Sequence, residues 1–437
     1  MKYIVLLSSF IMIGCQTKNK KDTIIDLPLT FVEGYGPFLP SFSLLINERK
    51  NDPVYGKMYM PIKGIPLNWS NVNKAMIWLN GYQLMYQNYL ARNISANAYK
   101  SFHTQWLFDE RKLSKKAIKC FVYVIWGINN KGNCVVMVDT NNNLDFSDEK
   151  EFHPEILDSE QKMLSVRNTQ IVNYELYQNG KINEATIPLI IKQFDGRKIG
   201  YNFPIYAKTV LIQENQRYEL AVAANGFTSA VFQYPELMNI TNWKVGDKIE
   251  EKDIIGLNNY ITLGGIMGDK YKNCGVDLSK NCLKLEGIAP DSIIFPMQTG
   301  FTFKPFTAIE FSTQKTISLK DFEGKYVFVD FWGTWCRGCV QDMPNLIKLY
   351  DQIDTSKIAM VGIVSDKPES LKKFISKNDI KWPQLLSDET NKLIEKYEIT
   401  GFPTSVLISP DGKIIAKNLR SQALDLKIQE FNLRKAQ

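Results

Sequence analysis

Histidine is almost missing from this chain: among 437 residues there are two, His103 and His153, and they lie far apart. That scarcity argues against a histidine-ligated metal centre. Seven cysteines are too few for a dense disulfide framework, though they leave room for one dithiol, one structural bridge and one modified residue. Residues 27–288 contain no glycine loop followed by Lys-Ser/Thr, so no phosphate cradle is read there. The formal net charge of +7 is spread along the chain, which fits a solvated surface and gives no nucleic-acid face. What is present is apolar and aromatic material, 44% and 12% of the residues, enough for sizeable cores in two or three domains.

The first fifteen residues read as an export signal. Lys2 supplies the positive start, and residues 3–13 form an apolar stretch too short to span a bilayer comfortably. The stretch ends Met12-Ile13-Gly14-Cys15, which resembles a bacterial lipobox, with Met12 in place of the more usual Leu. The resemblance implies that Cys15 becomes lipidated, residues 16–30 act as a tether, and acyl chains hold the protein to a membrane facing the periplasm. Disulfide chemistry is possible in such a compartment. An ordinary cleaved signal with an incidental cysteine is the alternative.

Residues 31–295 read as a β-rich region, in one or two subdomains, with strand-like runs at 120–128, 134–139, 185–194, 218–224, 261–263 and 282–286. One or more helices are expected between Trp69 and Lys119, where residues 75–89 and 98–116 allow helical spacing. No catalytic constellation stands out in this region. The run 139–149 places oxygen side chains at positions 1, 3, 5 and 7 and resembles a calcium loop. It has Leu144 where glycine is expected and Lys150 where glutamate is, so an Asx-rich turn is the favoured reading. Cys274 and Cys282 would face each other, and a bridge would be possible, if their hairpin centres on Leu278. Cys120 and Cys134 are expected to be unbridged, with Cys134 opposite Gly127.

The chemistry concentrates at residues 326–339, YVFVDFWGTWCRGC. A buried-strand run carrying one acid, Asp330, leads into Trp335-Cys336-Arg337-Gly338-Cys339. If Cys336 precedes a helix and Cys339 sits in its first turn, the sulfurs can bond, and the helix dipole favours the Cys336 thiolate. Residues 301–437 alternate strands and helices, with strands at 326–331, 358–365, 405–409 and 414–416 and helices at 368–378, 391–397 and 424–433. A structural zinc half-site is the bland alternative for the dithiol, but zinc wants four ligands and the histidines are distant.

Asp330, Phe331, Trp332, Gly333, Thr334, Trp335, Cys336 and Cys339 match, in order, the active-site run of thioredoxin-fold proteins. Gly401-Phe402-Pro403-Thr404 looks like that family's cis-proline loop. The spacing between the two, together with Met343-Pro344, resembles the membrane-associated TlpA/ResA branch. Asp342 stands where that branch usually has Glu, and Arg337-Gly338 replaces a pair that usually contains Pro. The resemblance implies an α/β thioredoxin-like domain, a mixed sheet flanked by helices, with Cys336 as nucleophile and Cys339 as resolving thiol. By the same resemblance Asp330 accepts a proton, Asp342 tunes the dithiol, and Pro403 exposes the backbone for a substrate chain. Trp335, Phe402 and Thr404 would contact that substrate. In small thioredoxins a lysine on the neighbouring strand pairs with the buried acid; no lysine occurs in residues 358–365, so no such partner is expected for Asp330. The implied activity is reduction of protein or peptide disulfides without a cofactor, recharged by a membrane electron donor. An oxidase or isomerase using the same dithiol, or a binding lipoprotein whose β-rich region is the main functional unit, are the alternatives.

Overall fold

The computed structural model describes residues 24–106, 108–194, 198–264, 268–399 and 401–435. The expected signal segment, its Cys15 and the tether up to residue 23 lie outside the described residues. The chain divides at Pro290/Asp291 into two compact units. Among the described residues, no helix is long and apolar enough to cross a membrane.

Several central strands of the amino-terminal unit, among them Phe121–Ile128 and Gln216–Ala224, are buried on both faces over most of their length. In the strand Gln216–Ala224, Tyr218, Leu220 and Val222 join a core with Leu27, Ile261 and Leu283. Ala221 and Ala223, on the opposite face, lie under Tyr35, Phe38 and Phe227. Side chains alternate along a strand, so small alanines on one face leave room for the edge-to-face pair of Tyr35 and Phe227, with centroids 4.9 Å apart. A second sheet joins Ser70–Trp78, Phe121–Ile128 and Cys134–Val138. Tyr123 and Ile125 pack with Leu84, Met85 and Tyr99 of the helices Gly81–Leu90 and Ala96–Trp106, while Val122 and Val124 pack with Ile187, Leu189 and Ile191 of a five-stranded sheet.

Local sequence signals misled in instructive ways. Residues 75–89 are not one helix: the strand runs to Trp78 and the helix starts at Gly81. The start signal is Asn80, whose side chain accepts the Gln83 N–H at 3.1 Å. The second helix stops at Trp106, well short of residue 116. The expected tether runs into structure, because Ile24–Pro28 pairs with Cys282–Gly287 as a sheet strand. Cys274 and Cys282 are not bonded. Their hairpin pairs Asp277 with Cys282, so its centre falls past Leu278 and Cys274 lies three residues along the strand from the residue opposite Cys282. Cys120 and Cys134 are also unbridged, and Cys134 opposes Ile128, one residue from the expected Gly127. In the 139–149 loop, Asp139 accepts the N–H groups of Asn143 and Leu144, and the amides of Asn141 and Asn143 donate to Asp148. Donor groups turned on the carboxylate and oxygens occupied by the loop's own backbone make this an Asx-type turn.

The carboxy-terminal unit centres on a five-stranded sheet ordered Gln384–Leu386, Ile358–Val364, Tyr326–Trp332, Thr404–Ile408, Ile414–Lys417. The first three strands are parallel and the last two antiparallel. Tyr326–Trp332 lies in the middle and is buried on both faces, which explains its nearly unbroken apolar sequence. Val327, Val329 and Phe331 pack with Phe303, Phe306 and Tyr397. Phe328 and Trp332 face the other way, toward Met343, Leu346, Leu371 and Leu424 on the helices Arg337–Gln352, Pro368–Asn378 and Ser421–Glu430. Period-2 alternation puts Asp330 on this same side, beneath the helix that follows the dithiol.

Candidate active site

The strand Tyr326–Trp332 ends at a tight corner and delivers Cys336 to the N-cap of Arg337–Gln352. The corner needs Gly333: a Cβ there would lie 2.7 Å from both the Ser365 carbonyl oxygen and Trp335 Nε1. Thr334 N–H donates to Asp366 at 2.6 Å and Trp335 Nε1–H to the Ser365 carbonyl at 2.7 Å, so the corner is pinned to the neighbouring strand's end. In the helix Cys339, Asp342, Met343, Leu346 and Leu349 are buried, the spacing of one inward-facing stripe, and the helix continues through Pro344.

Cys336 and Cys339 are bonded to each other, with Cα atoms 5.2 Å apart. The Cys339 N–H points at Cys336 Sγ, 3.2 Å away. That donor, with the helix dipole, would favour negative charge on Cys336 whenever the bond opens. Both sulfurs being bonded to one another excludes the zinc half-site in this state. Among the described residues no cluster of three or more His, Cys, Asp or Glu is placed to hold a metal.

The cis-proline loop lies over this helix end. Phe402–Pro403 is a cis peptide, and Pro403 Cδ sits 3.4 Å from where a Cβ on Gly338 would be. A Cβ at position 338 would therefore meet the proline ring at ordinary van der Waals distance, so Gly338 lies directly under the loop. Trp335 is 61% exposed and meets the Phe402 ring edge-on at 5.2 Å. Together they form an apolar wall beside the sulfurs. Thr404 Oγ1 donates to the Gly401 carbonyl at 2.8 Å and shapes the loop.

Asp330 is buried in the sheet, and burial raises its carboxyl to about 6, against the opposing pull of Arg420 and with a further push from Asp342. Arg420 is the group that local sequence signals missed. Its Nη1 donates to Asp330 Oδ1 at 2.7 Å, from the residue preceding the last helix. The neighbouring strand Ile358–Val364 carries no lysine, as expected, and the basic partner comes from another element. No signal in sequence spacing connects positions 90 residues apart. Asp342 lies one turn beyond Cys339, on the buried face, and its Oδ1 is 3.5 Å from Asn345 Nδ2.

A bonded Cys-x-x-Cys pair at a helix N-terminus, a buried acid below it and a cis-proline loop above it define a thioredoxin-fold thiol-disulfide oxidoreductase. The AhpC/TSA family profile matches residues 300–417. The thiol-disulfide oxidoreductase ResA of Bacillus cereus (strain ZK / E33L) is 35% identical over 127 residues, 29% of this chain and 72% of that protein. ResA of Bacillus subtilis (strain 168) is 30% identical over 112 residues, 25% of this chain and 62% of the relative. A solved thioredoxin domain of a thiol-disulfide oxidoreductase from Bacteroides vulgatus is 36% identical, covering 31% of this chain and 98% of its own, with a TM-score of 0.29. The chain belongs to the ResA-like family of thiol-disulfide oxidoreductases.

Proposed function

We propose that this protein reduces disulfides in polypeptides outside the cytoplasm, anchored to a membrane through lipid on Cys15. The observation that carries the redox reading is the bonded Cys336–Cys339 pair at the start of the helix. In the reduced enzyme the Cys336 thiolate attacks one sulfur of a substrate disulfide. The substrate S–S bond breaks, one substrate thiol leaves with a proton, and a mixed disulfide with Cys336 forms. Cys339 then gives its proton to Asp330, attacks Cys336 Sγ and releases the second substrate thiol. Two electrons have moved to the substrate, and the enzyme is left with the Cys336–Cys339 bond.

The residues around the sulfurs fit these roles. A carboxyl held near 6 accepts a proton from a deep thiol at neutral pH and returns it without a large penalty. Asp342 adds negative potential to the same face and supports that setting. Pro403 leaves the Phe402 backbone open to a substrate chain, and the Trp335–Phe402 wall gives its side chains an apolar surface. Returning the enzyme to the dithiol requires an outside reductant, which we assign to a membrane electron donor.

The deciding measurement is the reduction potential of the Cys336/Cys339 couple. A value near about −270 mV supports a reductant, whereas one near about −120 mV would make the protein an oxidant and reverse the proposed direction of electron flow. Lipidation is tested separately, by metabolic labelling with a fatty acid and its loss in Cys15→Ala.

A further inference from the structure

The amino-terminal unit contains a cavity of about 500 Å³, within the range of about 300–1,000 Å³ that ligand pockets occupy. Its lining includes residues 75–79 and residues 44–46, each an unbroken run. The face of a strand offers only every second residue, so an unbroken run means that the cavity follows strand edges. Both strands are in fact outermost: Ser70–Trp78 in the three-stranded sheet and Ser43–Leu44 in the five-stranded one.

Hydrogen-bond parity shows which backbone groups face the opening. The Leu79 N–H bonds the Cys120 carbonyl, so Ala75 and Ile77, in the same register, also turn toward the neighbouring strand. Lys74, Met76 and Trp78 therefore turn outward. On the other side the Leu45 N–H bonds the Ile199 carbonyl, so Leu44 and Ile46 turn outward. The two edges meet at one end only. The Glu48 N–H donates to the Lys74 carbonyl at 2.8 Å, and the Lys74 N–H to Asn47 Oδ1 at 2.9 Å. Carrying that register onward sets Ile46 against Met76 and Leu44 against Trp78, yet among the described residues no strand pairing joins them. The zipper starts and then parts, and the cavity lies where it parts.

We propose that this cleft binds an extended polypeptide segment, inserted as a strand between the Leu44–Ile46 edge and the Met76–Trp78 edge. Two facing rows of outward N–H and C=O groups at strand spacing are matched on both sides at once only by another extended main chain. The side walls are Tyr55, Tyr82, Trp106 and Tyr201, which suit apolar and aromatic side chains. The charged lining groups, Arg49 and Asp52, are of opposite sign, and Asp52 already accepts the N–H groups of Val54 and Tyr55. The cleft thus matches an uncharged segment of the kind an unfolded protein exposes.

The test uses the full chain and S-carboxamidomethylated insulin B chain, an unfolded peptide with no disulfide. Saturable binding with slowed hydrogen exchange at the amides of Leu44, Ile46, Met76 and Trp78 is the expected result. Ile46→Pro removes an outward N–H without touching the Leu45–Ile199 bond, and should weaken binding roughly three- to tenfold. Reduction of glutathione disulfide by the same variant should be unchanged. If Ile46→Pro does not fold by circular dichroism, Leu44→Pro removes the next outward N–H and takes its place. Absence of binding, or full affinity in the folded proline variant, overturns the proposal. Since the probe carries no disulfide, that failure would leave the dithiol chemistry standing.

Discussion

Arg420 Nη1 and Asp330 Oδ1 stand 2.7 Å apart, joining the residue just before the last helix to the strand that delivers the dithiol. The pair is asymmetric: the Asp330 side chain is 5% exposed and that of Arg420 24%. Burial favours the neutral acid, whereas the guanidinium favours the carboxylate, and the carboxyl settles at about 6.

Removing the guanidinium should therefore move the pH response of catalysis. Arg420→Met raises the Asp330 carboxyl further, so the acid limb of insulin reduction should shift upward by about one pH unit or more. Arg420→Lys should restore most of the wild-type profile. A kcat/KM profile whose acid limb stays in place in Arg420→Met would mean that Asp330 does not titrate in the rate-limiting proton transfer.

The same group ties stability to pH, with a definite sign. The folded carboxyl, at about 6, lies above its ordinary value of 3.8, so the folded state holds the proton more tightly than the unfolded chain. Stability from this group is complete below about 3.8 and is lost as pH rises through about 6. Asp330→Asn removes the penalty of ionising a buried acid. Urea unfolding of the oxidised protein at pH 7.5 should show the variant more stable by on the order of 1–3 kcal/mol, with little difference at pH 3.5.

The two cysteines should fail differently. Cys336→Ser loses the attacking thiolate and should reduce insulin no faster than the uncatalysed background. Cys339→Ser keeps the attack but not the release, so it should accumulate a mixed disulfide visible by mass spectrometry without reductant. Accumulation in Cys336→Ser instead would reverse the assigned order.

The support beneath the site is also testable. Trp332 Nε1–H donates to Gln384 Oε1 at 2.9 Å inside the core, where Gln384 is 1% exposed. Gln384→Met leaves that indole N–H unpaired and should cost about 1–3 kcal/mol in urea unfolding. Gly362→Ala should cost at least as much, since its Cβ would fall 2.0 Å from Gln384 Oε1.

Residues whose role is local were legible in the sequence. The apolar run of Tyr326–Trp332, the placement of Cys336 and Cys339 around a helix start, and the helix Pro368–Asn378 follow from periodicity and capping over a few turns. Where the local signal is weak, the sequence misled. The switch from strand to helix between Trp78 and Gly81 rests on one capping asparagine inside an amphipathic stretch that suits either period. The Cys274–Cys282 bridge, possible only for a hairpin centred on Leu278, is absent because Asp277 pairs with Cys282 and moves the centre past Leu278, a register that depends on the partner strand.

Covalent spacing along the chain thus determined the dithiol and the strand-turn-helix that carries it, since both depend on neighbours in sequence. Tertiary structure alone decided that Arg420 neutralises Asp330 and that the edges at Leu44–Ile46 and Met76–Trp78 face one another unjoined. Both are relations between distant segments, and long-range register and burial, which no local pattern encodes, set which groups meet.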